Sequence, residues 1–279
     1  MLALFVLVAA VATPTPEPIP TLSPNQTLAR VRQVFRSHRP PPAFEKYTVE
    51  RKQLRADGYP DVTDSYTFHV WVRNGDRAAM KRKVFRDNYE YLPEFDRPAF
   101  NEDRDPGPPT ADVFEPKPAV PHPVSQPYTP EPASSQPQII GRISTLVELD
   151  YRVIGLTTDG ALLHLTLEPM RDVSRNRLTD VYVDKTSYEV KKLVAHDTLF
   201  VRGGPGGEQK FGVIFTITMG EVDGIPVVTS IHGIVGDGYT GDGKDVDYQF
   251  RDITFPKMLP EWYFDPRTYA QHANETGPS

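Results

Sequence analysis

Residues 178–193 have the sequence Leu-Thr-Asp-Val-Tyr-Val-Asp-Lys-Thr-Ser-Tyr-Glu-Val-Lys-Lys-Leu. Apolar and polar residues alternate on both sides of Asp184-Lys185-Thr186, which is the period of a β-strand with one buried face. Asp and Thr favour turns because their side chains can hydrogen-bond the nearby backbone. The stretch therefore predicts a β-hairpin with strands at 179–184 and 188–195.

The same signals recur before and after this hairpin. Successive strands joined by short turns predict an antiparallel up-and-down sheet, and a sheet of about ten strands must curl to cover its apolar face. The predicted fold class is mainly β (α+β): a curled antiparallel half-barrel covered by an N-terminal amphipathic helix. Turn residues such as Asn74-Gly75 and Asp223-Gly224 separate the further strand segments, which are 44–54, 66–73, 78–85, 146–154, 161–167, 211–218, 227–234 and 246–255.

Proline marks the boundaries, because it removes a backbone donor and avoids sheet interiors. Eight prolines precede residue 43, thirteen lie within 93–137, and three lie within 138–255. In 93–137, Phe95, Phe100, Val113 and Phe114 would attach parts of the segment to the domain, which is the alternative to free disorder. We divide the chain into a signal peptide (1–12), a proline-rich linker (13–22), the lid helix and first strands (23–92), a proline-rich excursion (93–137), the remaining strands of the same domain (138–260) and a C-terminal tail (261–279).

The N-terminal residues predict export. An apolar run at 1–12 ends in Ala10-Val11-Ala12, the small-x-small pattern of a signal-peptide cleavage site, although no Lys or Arg precedes it. The run is too short to cross a bilayer, which takes roughly 20 residues. We expect a mature protein that begins near Thr13 in the periplasm or outside the cell. The alternative is a buried N-terminal segment.

The lid helix is predicted at 23–39. Ser23, Pro24 and Gln26 form a capping-box arrangement, and the triple proline at 40–42 ends the helix. Apolar residues recur at helical spacing, and we place Arg30, Arg32, Arg36 and Arg39 on the other faces.

The concave face of such a sheet needs a cover, and this helix is the strongest candidate. We expect the helix and the inward-facing strand residues to enclose an apolar cavity that binds the ligand. The predicted cavity residues are Leu28, Val31, Phe35, Phe68, Val70, Leu163, Leu165, Val183, Val213 and Phe215.

The order of signal peptide, amphipathic helix and meander resembles the periplasmic lipoprotein-carrier superfamily (LolA/LolB-like). A strand that ends in Leu-Glu-Pro-Met-Arg-Asp (167–172), followed by the hairpin at 178–193, carries the resemblance. The resemblance implies a half-open barrel with a helical lid over a hydrophobic interior. It also implies a lipid or acyl chain of a lipoprotein as the partner, and neither catalytic residues nor a cofactor.

Composition excludes several other classes. The chain of 279 residues has no Cys and a formal net charge of −6, which argues against thiol chemistry, disulfides and binding to nucleic acid. No Gly-x-Ser-x-Gly elbow is present, and the glycines at 203–207 lack the Gly-Lys-Ser/Thr of a phosphate loop. A metal site from His164, His196 and His232, and calcium bound by Asp237, Asp242, Asp245 and Asp247, remain minor alternatives.

The sequence leaves the partner open. The basic hairpin, defined as Arg73, Arg77, Lys81, Arg82, Lys83 and Arg86, is either a solvated sheet edge or a contact for anionic lipid headgroups or an acidic protein. We expect a monomeric, non-enzymatic carrier of a lipid or acyl chain. The alternative is a cell-envelope protein-interaction or sensor module, in which the protein's own side chains fill the cavity; an enzyme ranks last.

Overall fold

The computed structural model describes residues 22–38, 42–54, 65–84, 94–96, 107–115, 150–171, 173, 175–203, 207–235 and 245–272. Among them, one helix α1 (Pro24–Ser37) precedes eleven strands, and a short helix α2 (Pro266–Tyr269) lies between two 3₁₀ turns (Glu261–Phe264 and Ala270–His272). The strands are β1 (Phe44–Leu54), β2 (Tyr66–Arg73), β3 (Ala78–Val84), β4 (Glu94–Asp96), β5 (Tyr151–Asp159), β6 (Leu162–Pro169), β7 (Leu178–Asp184), β8 (Val190–Gly203), β9 (Gly207–Val222), β10 (Ile225–Val235) and β11 (Asp245–Thr254).

The strands form one antiparallel sheet in the order β4-β3-β2-β1-β11-β10-β9-β8-β7-β6-β5. The sheet is curled and unclosed, so the predicted half-barrel is confirmed. The first strand pairs with the last, for example Val49 with Phe250. The two groups of strands on either side of the proline-rich segment are therefore joined through β1 and β11, while β4 and β5 form opposite edges.

The local predictions of turn and cap are confirmed. At the start of α1, Ser23 N–H donates to Gln26 Oε1 at 2.9 Å and Gln26 N–H donates to Ser23 Oγ at 3.4 Å, which closes the capping box. Between β9 and β10, Asp223 and Gly224 have φ of 52° and 77°, as a tight hairpin turn requires. Between β7 and β8, Asp184 Oδ1 accepts the N–H of Thr186 at 2.8 Å.

The sheet is covered on its concave side by α1 and by residues 107–115. We call this side the lid face and these two segments the inner cover. Leu28 and Val31 of α1 are buried in one apolar cluster with the inward-facing strand residues, and Val113 and Phe114 belong to the same cluster. The lid prediction is confirmed. Part of the segment 93–137 also lies in the fold, since Glu94–Asp96 pairs with β3 and residues 107–115 help to form the core.

The opposite side of the whole sheet is called the outer face, and at β1–β3 it carries a second core that the sequence did not predict. Trp71 and Met80 are buried against Leu259, Tyr263 and Tyr269. We call residues 259–272 the C-terminal cover. Strand β2 therefore has a buried residue on each face, Val70 inside and Trp71 outside, whereas its alternation predicted one buried face.

Candidate ligand site between lid and sheet

The ten predicted cavity residues come together on the lid face. Seven are buried in the main cluster, and Phe35, Phe68 and Leu163 are half-buried against it. Strand register explains the meeting: Leu165 lies opposite Val181, and Phe215 lies opposite Ala195 and Gly233. The alternation of single strands therefore predicts which residues share the face. Whether they contact a ligand stays a prediction.

The site is closed in this structure. Leu28, Val31, Leu165, Val183 and Phe215 have no exposed surface. An open cavity of ligand size would leave accessible surface on the side chains that line it. The inner cover therefore shields the lid face, and a ligand could enter only if α1 or residues 107–115 moved.

The inner cover is fixed to the sheet and to itself by a small set of polar contacts. Asn25 Oδ1 accepts the N–H of Val153 at 3.1 Å, which links α1 to edge strand β5. Arg36 Nε donates to Asp112 Oδ2 at 3.0 Å, which links α1 to residues 107–115. The rings of Phe35 and Phe114 meet edge to face with centroids 5.4 Å apart.

Residues 107–115 are in turn hydrogen-bonded to residues of the sheet. Tyr47 Oη donates to the carbonyl of Gly107 at 3.1 Å, and Val228 N–H donates to the carbonyl of Pro109 at 2.7 Å. Thr110 Oγ1 donates to the fully buried carboxyl of Glu45. Burial raises the pKa of Glu45, against the opposing effect of its hydrogen bonds with Thr110 and Asn74.

Polar residues on the lid face were missed by the sequence analysis. Strand β1 buries its odd-numbered residues, which include Glu45, Arg51 and Gln53. Arg51 Nε donates to Tyr248 Oη at 3.2 Å and its Nη2 donates to Gln53 Oε1 at 2.7 Å. The signal was present but weak: Tyr47 and Val49 have this parity, whereas the even-numbered residues 46–52 are all polar.

Arg32 is a correction to the helix prediction. The sequence prediction places it on a face other than the apolar one, but only 6% of its surface is exposed. It follows Leu28 by four residues, and residues spaced i, i+4 lie on the same face of a helix. The apolar stripe therefore brings Arg32 beneath the lid.

The basic hairpin is engaged in contacts within the protein. Arg73 donates to Asp76 and Glu261, and its hydrogen bond lowers the pKa of Asp76 to about 2. Arg77 pairs with Glu115 at 3.4 Å. Lys81 is buried, Arg82 donates to Tyr269, and Lys83 lies 5.4 Å from the ring centroid of Tyr66. Arg86 lies outside the described residues. A membrane contact through this hairpin stays a prediction.

The minor metal alternatives gain no support from the part of the chain that the structure describes. There, no group of three or more His, Asp or Glu side chains is placed to hold a metal ion. His164 instead bonds Asp180 at 2.7 Å, and His232 bonds Asp247 at 2.6 Å. Asp237 and Asp242 lie outside the described residues.

Comparison with known proteins gives structural similarity only. No protein-family pattern and no curated protein sequence matches the chain. Among solved structures, a LolA superfamily protein from Nitrosomonas europaea is similar, with 13% identity, a TM-score of 0.44, and coverage of 88% of this chain and 99% of that one. The complex of MucA and MucB from Pseudomonas aeruginosa is also similar, with 11% identity, a TM-score of 0.20, and coverage of 84% and 95%.

The resemblance that the sequence carries is confirmed to this extent: a LolA superfamily protein stands among the similar solved structures. The identities and TM-scores are low, so no residue role or activity is transferred from these proteins.

Within the described ranges, no helix is both long enough and apolar enough to span a membrane.

Proposed function

We propose that the protein is an exported, non-enzymatic binding protein of the carrier type, which holds a lipid or acyl chain on the lid face. The observation that carries this proposal is a largely apolar sheet face under a cover of one 14-residue helix and one nine-residue segment. The proposed contacts are the ten predicted cavity residues. Cleavage after Ala10-Val11-Ala12 would release the mature protein into the periplasm or the cell exterior.

Binding requires the inner cover to move, and the energetics allow this. Lifting α1 exposes Leu28, Val31 and the side chains beneath them, each a cost of about 25 cal/mol per Å² of apolar surface. An acyl chain that enters between the helix and the sheet restores the same kind of burial on both. The exchange of one apolar contact for another is therefore near balance, which suits reversible loading.

A second candidate follows from the closed interior itself. If α1 and residues 107–115 are permanent parts of the core, the protein is an interaction or sensor module and its partner is another protein. The outer face offers a surface for this: Ile214 and Ile234 are cross-strand neighbours on β9 and β10, and 42% and 49% of their surfaces are exposed.

The neighbours Val213 and Ile214 allow a matched test, because Val213 points to the lid face and Ile214 to the outer face. The purified protein is examined by native mass spectrometry for co-purified amphiphiles, and then titrated with a fluorescent hexadecanoate analogue. We expect binding by the wild type, several-fold weaker binding by Val213→Ser and unchanged binding by Ile214→Ser. Thermal melting of each variant checks that it is folded.

If the folded wild type binds no amphiphile, the carrier proposal is wrong. The interaction module then becomes the better assignment, and the Ile214→Ser variant becomes the one to test for loss of a protein partner. Intact mass of the exported protein tests the leader separately, with a mature N-terminus at Thr13 as the expected result.

A further inference from the structure

The guanidinium of Arg32 is buried without a hydrogen-bonded partner. Its Nε and Nη2 atoms are both inaccessible to solvent, and neither has a hydrogen bond. Two aromatic rings are its close neighbours, since Cζ lies 5.6 Å from the ring centroids of Phe114 and Tyr151. Such ring contacts provide only part of what a charge loses when it leaves water. Burial lowers the pKa of Arg32, and repulsion by Arg36 adds to the effect.

Acidic groups are nearby, but none is bonded to this edge of Arg32. Asp150 and Asp112 favour its charged form through space. The Asp112 carboxylate, however, accepts from Arg36 at 3.0 Å. The hydroxyl of Tyr151 accepts the N–H of Leu178 at 3.2 Å. The Asp112 carboxylate and the Tyr151 hydroxyl therefore have other partners, and no anion is bonded to the Nε–Nη2 edge of Arg32.

Other arginines in the protein show what this edge binds. Arg73 uses Nε and Nη2 together to hold the two carboxylate oxygens of Asp76, at 2.9 and 2.8 Å. Arg152 uses the same two atoms to hold a single carboxylate oxygen, Oε2 of Glu168. This fork matches a carboxylate or phosphate in two parallel hydrogen bonds. Arg32 presents the same two atoms without an acceptor.

The position of Arg32 suits a headgroup. It lies where three elements meet: α1, residues 107–115 through Phe114, and edge strand β5 through Tyr151. From there the apolar cluster continues without a break through Leu28 and Val31 of the helix to the centre of the sheet. An anion at Arg32 can therefore be the end of a chain that lies on the lid face.

We propose that Arg32 binds the anionic headgroup, a carboxylate or a phosphate, of an amphiphile whose chain lies on the lid face. This inference rests on the proposed function and adds the chemical class of the ligand to it. It predicts that the protein discriminates by charge between ligands of equal chain length. The ligand's anion would supply the two hydrogen bonds that the buried guanidinium lacks.

The test compares hexadecanoate with hexadecanol, which have chains of equal length, by calorimetric titration of the full chain. We expect the wild type to bind hexadecanoate at least tenfold more tightly. Arg32→Met should abolish this preference but keep the binding of hexadecanol. Arg30→Gln is the matched control, because it removes one positive charge from an exposed position of the same helix and should leave the preference intact.

Folding does not limit the experiment. Replacing an unpaired buried charge with an apolar side chain of similar length is usually neutral or stabilising, so Arg32→Met should melt at or above the wild-type temperature. Arg32→Gln is the second variant and should also lose the preference. An anion preference that survives in both variants would overturn the assignment of Arg32.

Two further arms separate this inference from the proposed function. In the first, inorganic phosphate is titrated alone. If phosphate binds in a way that depends on Arg32 while neither amphiphile binds, Arg32 is an anion site but the carrier proposal is wrong. A response confined to a peptide with a free C-terminal carboxylate would overturn the amphiphile and favour a protein partner. If phosphate, peptide and hexadecanoate all fail to bind, the inference is wrong.

Discussion

On the lid face, α1 and residues 107–115 cover mainly aliphatic strand residues, whereas on the outer face residues 259–272 cover Trp71 and Met80 largely with aromatic rings. Two arginines next to the C-terminal cover have hydrogen-bond acceptors: Arg73 donates to Asp76 and Glu261, and Arg82 donates to Tyr269. Beneath the inner cover, the buried Arg32 lacks hydrogen bonds at Nε and Nη2.

Unsatisfied buried groups are expensive, and among the described residues those that belong to ionisable side chains lie on the lid face. Glu45 Oε2 is buried there without a partner, as are the two nitrogens of Arg32. The C-terminal cover leaves Trp71 Nε1 unpaired, but this group is neutral and costs less to bury. Natural proteins retain such defects mainly at functional sites. The contrast agrees with the proposal that the inner cover moves to admit a ligand, and it predicts that the C-terminal cover mainly stabilises the fold.

The largest expected effect concerns the C-terminal cover. Tyr263 is buried, with its ring centroid 5.9 Å from that of Trp71 and 6.1 Å from that of Tyr269. Tyr263→Ala should lower the free energy of unfolding by about 3–5 kcal/mol, as for other buried aromatic residues. Urea denaturation measures it. Met258→Ala, at a residue that is 74% exposed, is the control and should change stability by less than about 0.5 kcal/mol. A loss below about 1 kcal/mol for Tyr263→Ala would show that this cover is dispensable.

The second effect tests how tightly the lid face is packed. A Cβ added at Gly233 would lie 2.6 Å from Phe215 Cε1 and 2.8 Å from Val246 Cγ1, so Gly233→Ala should cost about 1–3 kcal/mol of stability. Gly212→Ala is the control, because a Cβ there meets nothing within 4 Å. Denaturation midpoints of the two variants give the comparison. Equal stability would mean that Phe215 and Val246 have room to move, and that the lid face is looser than its burial indicates.

The third effect is a pH dependence that arises from the inner cover. Burial raises the pKa of Glu45, so the stability associated with its neutral form is present at acid pH and is lost as the pH rises through the raised pKa. Glu45→Gln should remove this loss and be more stable than the wild type by about 1–2 kcal/mol at neutral pH, with the difference vanishing in acid. Thermal melting from acid to neutral pH measures it.

Glu50→Gln is the control for this experiment. Glu50 lies on the same strand with the opposite parity and pairs with Lys52 at 2.9 Å and with Arg251 at 3.2 Å. Its replacement should slightly destabilise the protein, by less than about 1 kcal/mol, rather than stabilise it. The expectation is contradicted if the wild type, compared with Glu45→Gln, loses no stability between acid and neutral pH. The buried carboxyl of Glu45 would then not have a raised pKa.

Local sequence patterns predict the individual helix and strands, but they do not predict which distant strands pair. The bounds of β1 (Phe44–Leu54) agree with the sequence prediction, and the cap of α1 follows from Ser23, Pro24 and Gln26 alone. The pairing of β1 with β11 joins residues about 200 positions apart, and no local periodicity encodes it.

The missed parts of the site have equally physical reasons. For residues 93–137 the sequence left attachment and free disorder open, and the burial of Val113 and Phe114 shows attachment at 107–115, where nine residues pack on the sheet without forming a strand or helix. Arg32 was assigned by its charge rather than by its spacing from Leu28. The C-terminal cover consists of elements of three or four residues, too short for a periodic signal.

The smallest expected effect asks whether the two segments of the inner cover move as one body. Arg36 of α1 and Asp112 form an ion pair with side chains that are 54% and 26% exposed, which salt screens and which should contribute about 0.2–1 kcal/mol. A double-mutant cycle with Arg36→Ala and Asp112→Ala measures the coupling, once from unfolding and once from the affinity for hexadecanoate. If loading lifts α1 away from residues 107–115, the pair breaks in the bound state, and both single variants should bind hexadecanoate slightly more tightly than the wild type at low salt. If the segments move together, the pair survives in the bound state and the coupling measured from the affinity is close to zero. Weaker binding in Asp112→Ala alone would contradict both modes, because removing a carboxylate near Arg32 should favour an incoming anion.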